Sequence, residues 1–266
     1  MKPLRAVLPC LFLTFGLPFA ASLSAQNPES QAKTSGISSF KIGPIRQLRK
    51  DVDAWPLILN ASNPSLQRVN AALTSMNRKM LSTLRECDTN YIAWAKIVNK
   101  LTGKASPAHD WVRKVRVTMH GPAYLSLVAT NSFFCGGVHP YMFTEVAVFD
   151  LKTGEPADPL KWFESSSNAS YAADVEQPDP PLEKSISARG LLPKYRELTN
   201  HECDNVYTES QPFLIWPDAS SGHVILVADV LAGCCRSCDV ETGLTLEQAR
   251  KLGFDESFLK AIQEAH

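Results

Sequence analysis

The residues best suited to chemistry are few. His139 sits in Gly136-Gly137-Val138-His139-Pro140, directly after Cys135. An imidazole that titrates near neutrality can serve as a general base or a ligand at the mouth of a cleft. Two glycines give the chain conformations closed to other residues, and proline fixes the exit. A general base also needs a nucleophile and an orienting carboxylate, and neither stands at a recognisable spacing from His139. The same five residues read more simply as a turn, with Gly136, Gly137 and Pro140 shaping it and His139 satisfying backbone groups. The second cluster is Cys234-Cys235-Arg236-Ser237-Cys238. Its Cys-x-x-Cys unit could be a redox pair or half of a zinc site. The preceding residues read as a strand end rather than a thioredoxin-like helix start, and only His201 and Cys203 lie nearby as further ligands. Structural disulfides are the better reading. His109, His120, His223 and His266 share no metal-binding spacing, so no metal or cofactor is expected.

Hydrolase signatures are missing as well: there is no Gly-x-Ser-x-Gly elbow, Ser-x-x-Lys, phosphate-binding glycine loop or His-Glu-x-x-His. Asp150, Glu155 and Asp158 form an acidic group of the kind usually found in solvated turns. Trp162 and Phe163, with Phe213 and Trp216, could stack on sugar faces, although core or rim packing is the better reading of such residues. The candidate binding set is therefore His139, Tyr141, Trp162 and Phe163, with no catalytic residue assigned. An envelope hydrolase or metal-dependent enzyme centred on His139 is the alternative.

The elements that would position these residues follow from hydrophobic periodicity. Asn63 and Pro64 open a helix on which Leu66, Val69, Leu73, Met76, Met80, Leu84 and Cys87 recur at three- and four-residue steps. Gln67, Asn70, Asn77, Arg78 and Arg85 fall on its polar face. Trp94, Ile97, Val98 and Leu101 could prolong it as far as Gly103. Val115, Val117 and Met119 alternate with Lys114, Arg116 and Thr118, as in a strand with one wet face. Further strands are expected over Tyr124–Phe134, Thr144–Leu151, Phe213–Trp216 and His223–Leu231. Lys152-Thr153-Gly154 is a turn in which glycine supplies a positive φ. Ser165–Arg189 reads as a loop leading into a short helix near Leu182–Leu198. Thr245 and Gln248 make a capping box, and Asp255 caps a final helix. The sum is an α+β fold, an antiparallel sheet with helices packed on one side.

The chain has 266 residues, with 27 basic and 27 acidic side chains. That balance gives no reason to expect nucleic acid or an anionic membrane as partner. Residues 1–25 have the basic start, apolar run and small-residue end of a signal peptide. Residues 26–36 read as a disordered arm, and 37–266 as a single α+β domain without a transmembrane segment. Cys87, Cys135, Cys203, Cys234, Cys235 and Cys238 follow the signal segment, and an even number in an exported chain suggests disulfides. Three bridges are expected, with the connectivity open. Adjacent Cys234 and Cys235 are poorly placed to bond each other.

Taken together, Gln67-Arg68-Val69-Asn70 in an amphipathic helix, Gly136-Gly137-Val138-His139-Pro140, Phe149-Asp150-Leu151-Lys152-Thr153-Gly154 and Lys161-Trp162-Phe163 resemble a family of exported bacterial domains. That family includes the extracellular region of the RsiV-like anti-sigma factor and the non-catalytic N-terminal region of PdaC-like deacetylases. The resemblance covers about residues 53–252 and is strongest over 125–163. It implies a cell-envelope location and, as in some relatives, recognition of lysozyme or association with peptidoglycan. It implies no enzyme, because the relatives' deacetylase chemistry belongs to a separate domain.

Overall fold

In the computed structural model the helix predicted at Asn63 begins there: the Asn63 side chain accepts a hydrogen bond from the Leu66 amide at 2.8 Å, and proline occupies the first turn. The structure describes residues 40–106, 109–164, 169–171, 185–199, 207–229 and 240–266, all within one compact unit, Gly36–His266. Helix α1 (Pro64–Thr102) continues through the ambiguous stretch after Cys87 and stops at Gly103, whose left-handed conformation lets its amide reach the Asn99 carbonyl at 2.9 Å. At 39 residues it is ~58 Å long. Leu66, Val69, Leu73, Met80, Leu84 and Cys87 form its buried stripe. Two residues assigned to the polar face have another role. Asn70 donates to and accepts from the backbone of Ile58, and Asn77 does the same for Trp55, all at 2.8–3.0 Å. Each amide side chain thus pairs with the passing segment much as a neighbouring strand would.

Short strands β1 (Lys41–Ile42), β2 (Gln47–Arg49), β3 (Val52–Asp53) and β4 (Ile58–Leu59) precede α1. After it come β5 (Trp111–His120), β6 (Tyr124–Phe133), β7 (Tyr141–Asp150), β8 (Glu155–Pro156), a 3-10 turn (Pro159–Trp162) and β9 (Ala169–Tyr171). They are followed by β10 (Ile186–Ala188), α2 (Leu191–Leu198), β11 (Phe213–Asp218), β12 (His223–Ala228), β13 (Thr242–Thr245), α3 (Leu246–Lys251) and α4 (Glu256–Ala265). The α+β class holds, and its strands divide between sheets. One runs β2-β3-β5-β6-β7-β8, the other β13-β12-β11-β10-β9, and β1 pairs with β4 in a small ribbon. Pairing is antiparallel except between β3 and β5.

The three long strands have two buried faces. Leu125, Leu127, Ala129, Ala147 and Phe149 meet Leu66, Val69 and Leu73 of α1. Val128, Val146 and Val148 meet β11, β12 and α4 in the larger cluster. Met119 belongs to this second face, because a bulge between Val117 and Met119 shifts the register of β5. The simple alternation expected for Val115, Val117 and Met119 is broken there, since an extra residue reverses which side the next side chain takes. Thr118 donates to the Pro217 carbonyl at 3.1 Å and its own carbonyl receives the Ala219 amide at 2.8 Å, joining the two sheets.

Arg113 is fully buried on the α1 side, at 0% exposure. Its guanidinium is ion-paired to Glu145 and lies 4.5 Å from the centre of the Trp55 ring. Asn131 donates to the same carboxylate at 3.3 Å and accepts from the Trp111 indole at 3.2 Å. One carboxylate thus ties β5, β6 and β7 together near one end of the sheet.

Candidate functional site

The segments Gly136–Pro140 and Asp150–Gly154 occupy opposite ends of β7, and the chain at each end grips α1. At one end Asp150 accepts the amides of Lys152 (2.8 Å) and Thr153 (3.2 Å), closing the turn. Arg68 donates to the Thr153 carbonyl and Ser65 to the Lys152 carbonyl, so the turn holds the first turn of α1. Gly154 has φ 76°, and a Cβ there would lie 2.8 Å from Ser65 Cα. Gly154→Ala is therefore expected to cost ~2–3 kcal/mol, from left-handed strain and overlap with a backbone that has no room to give. Urea unfolding measures it; a loss below ~1 kcal/mol would show that the helix can shift away.

At the other end Cys87 of α1 is bonded to Cys135 in the loop between β6 and β7. Gly136 packs on Trp94, where a Cβ would stand 2.7 Å from the Trp94 Cβ. Phe134 meets the Trp94 ring edge-on at 5.0 Å, and His109 packs against Tyr91 at 4.8 Å. Asp88 binds both His109 (3.1 Å) and Arg49 (2.9 Å). Across the strands, Trp111, Phe133 and Tyr141 are register neighbours whose rings stack at 4.2 and 5.5 Å, with His139 continuing the row 5.2 Å from Tyr141. This ladder lies on the α1 side. Val112 and Met142 project from the opposite face, on either side of Ser132, and both are exposed. Val138, at the tip, is 96% exposed. Among the described residues no strand pairs with the outer side of β7 before Phe149, so this end also offers an open row of backbone donors and acceptors.

His139 and Tyr141 are thus brought together on an exposed end, and Gly136, Gly137 and Pro140 shape the turn beside them. The only polar contact of His139 among the described residues is between Nδ1 and the Pro140 carbonyl, at 3.2 Å. Among the described residues no carboxylate orients the ring, as one would for a general base. Trp162 and Phe163 lie elsewhere. At 2% and 5% exposure, Trp162 stacks on Phe258 (4.7 Å) and Phe163 packs at a tilt against Phe254 (4.3 Å), and Asp255 donates its amide to the Trp162 carbonyl at 2.7 Å. They anchor the last helix and offer no face to a ligand; Phe213 and Trp216 are buried too. Of the four candidate residues only His139 and Tyr141 lie on this exposed end, where Val138, Met142 and the Trp94 platform are their neighbours. The platform was hidden in sequence because it depends on α1 continuing past Cys87.

Two tyrosines away from this end have raised phenol pKa values. Burial, then the Asp150 charge, raises Tyr124, and burial with the Asp158 hydrogen bond raises Tyr171. Both are packed structural groups. An open cleft of about 570 Å³ lies beside α2, lined by Ser187, Arg189, Leu192, Arg196 and Glu209 among others. Among the described residues no three His, Cys, Asp or Glu side chains gather as a metal site, and no helix is long and apolar enough to cross a membrane. Residues 1–39, which include the predicted signal segment and most of the arm, and Cys203, Cys234, Cys235 and Cys238 lie outside the described residues.

No protein-family model matches the chain, and no curated protein is similar to it. A solved structure of a DUF3298 family member from Bacteroides fragilis is similar over 84% of this chain and 95% of its own, at 11% identity and a TM-score of 0.49. At that level the likeness says nothing about ligand or chemistry.

Proposed function

We propose that this chain is an exported, non-enzymatic binding module of the cell envelope that meets its partner with the β6–β7 hairpin end. The observation that carries the reading is the exposed apolar tip, Val138 to Met142, held rigid by the Cys87–Cys135 bond and by Trp94 beneath Gly136. Large exposed apolar side chains on a braced element are costly to maintain in water and are typical of surfaces that become covered. Bracing also lowers the ordering cost of binding. Export is supported by the signal-like start and by the disulfide, which an oxidising compartment preserves. The resemblance of the hairpin segment to RsiV-like and PdaC-like envelope regions points the same way, with lysozyme and peptidoglycan as the first ligands to try. An isolated exposed His139 gives no comparable support to a hydrolase.

Retention of the mature protein on purified peptidoglycan sacculi and on immobilised lysozyme tests the reading. Wild type is expected to be retained on at least one of them. Val138→Asp is expected to weaken retention tenfold or more at unchanged melting temperature, since a charge at a buried interface centre is left without a partner. Retention that ignores Val138→Asp would remove the hairpin end from the interface.

A further inference from the structure

The charge and shape of the hairpin end define the chemistry of its partner more narrowly, an inference that rests on the binding-module reading. Between Asp88 and Asp110 the chain carries Lys96, Lys100 and Lys104, all exposed, and no carboxylate. The hairpin from Ser132 to Thr144 carries no carboxylate either, and the first acid after it, Glu145, is paired to Arg113. Asp88 is bound to Arg49 and His109, and among the described residues no ion pair forms to the three lysines, which outnumber Asp110, the acid beside Phe134. A chain with balanced charge overall therefore gathers positive charge at this one end.

Geometry makes the end protrude. Ser65 lies against Gly154 at one end of β7, and Cys87 is bonded to Cys135 just beyond the other. The ~33 Å of helix between Ser65 and Cys87 matches the length of a ten-residue strand. The remaining stretch, Asp88–Thr102, reaches ~22 Å past that bond, and none of its residues is fully buried. Ile97 and Leu101 stand at i+3 and i+7 from Trp94, on the side of α1 that Gly136 covers further back, and Leu101 is 78% exposed. Lys96 and Lys100 sit about a quarter turn away from them. Val138, Tyr141 and Met142 complete the apolar end from the hairpin. All five of these side chains are exposed. A rigid protein surface would need a matching pocket for each, whereas the interfacial zone of a bilayer accepts them all while lysines reach the headgroup phosphates.

We infer that the hairpin end docks on an anionic lipid surface, with Ile97, Leu101, Val138, Tyr141 and Met142 entering the headgroup–acyl boundary and Lys96, Lys100 and Lys104 contacting lipid phosphates. The probe is co-sedimentation of the mature protein with vesicles of phosphatidylglycerol and phosphatidylcholine, against phosphatidylcholine alone, at low and high salt. Binding is expected to be at least tenfold stronger on the anionic vesicles and to weaken with salt. The triple variant K96E/K100E/K104E is expected to lose roughly 100-fold in partitioning, and V138D roughly tenfold, both with wild-type circular dichroism and melting. Equal binding to the two vesicle types, or an unchanged triple variant, overturns lipid docking. Absence of vesicle binding alongside V138D-sensitive retention on sacculi, lysozyme or an acidic protein overturns it too, while leaving the binding module intact. Failure on every probe overturns both.

Discussion

Replacing Glu145 with Ala is expected to destabilise the protein by ~3 kcal/mol, more than any surface substitution should. The carboxylate is ion-paired to a fully buried Arg113 and receives a hydrogen bond from Asn131, so its removal takes a negative charge and a hydrogen-bond acceptor away from a guanidinium in the core. The value sits at the low end for a broken buried pair because Glu145 itself keeps contact with solvent. The compensated variant Arg113→Met/Glu145→Leu should recover most of the loss, since both charges leave together and the volume stays filled. A double-mutant cycle by urea unfolding checks both statements. A single substitution costing under 1 kcal/mol, or a double variant no better than the single, would mean that the pair is not the brace it looks to be.

The second large effect concerns the Cys87–Cys135 bond. It closes a loop with a sequence separation of 48. Chain-entropy arguments give ~4 kcal/mol for a loop of that size. The double variant Cys87→Ala/Cys135→Ala is expected to lose about that much, and part of the loss should appear locally. Amide protection should fall over Asp88–Thr102 and the hairpin tip before the sandwich opens, because the bond and the Trp94–Gly136 contact join those two segments. Unfolding of the double variant within 1 kcal/mol of wild type would contradict this. So would uniform loss of protection across the fold.

How much of this was legible in sequence depended on the range of the interactions. The Asn63 cap, the Thr245–Gln248 box, the Asp255 cap and the Gly154 turn are local hydrogen-bonding patterns, and all are present. The buried stripe of α1 followed from helical spacing alone. What escaped depends on contacts between distant residues. Arg113 and Glu145 look like ordinary strand charges until β5 and β7 are set on the two sides of β6, so that the long side chains meet across it. The bulge after Val117 has no marker residue, so simple alternation places Met119 on the wrong face. Asn70 and Asn77 read as solvent-facing because the segment they hold, Trp55–Ile58, shows no pattern that reveals where it runs. Trp162 and Phe163 drew attention as aromatics, yet α4 covers them. Net charge concealed most of all, since a sum of zero says nothing about three lysines gathered without an acid among them.

The central claim, that the hairpin end is the surface through which this protein binds, is tested most directly by hydrogen–deuterium exchange of the mature protein with and without anionic vesicles, sacculi and lysozyme in turn. Slowed exchange is expected over residues 91–102 and 135–143 with at least one of them, and little change elsewhere. Protection centred instead on the cleft beside α2, around Ser187 to Arg196, would contradict it.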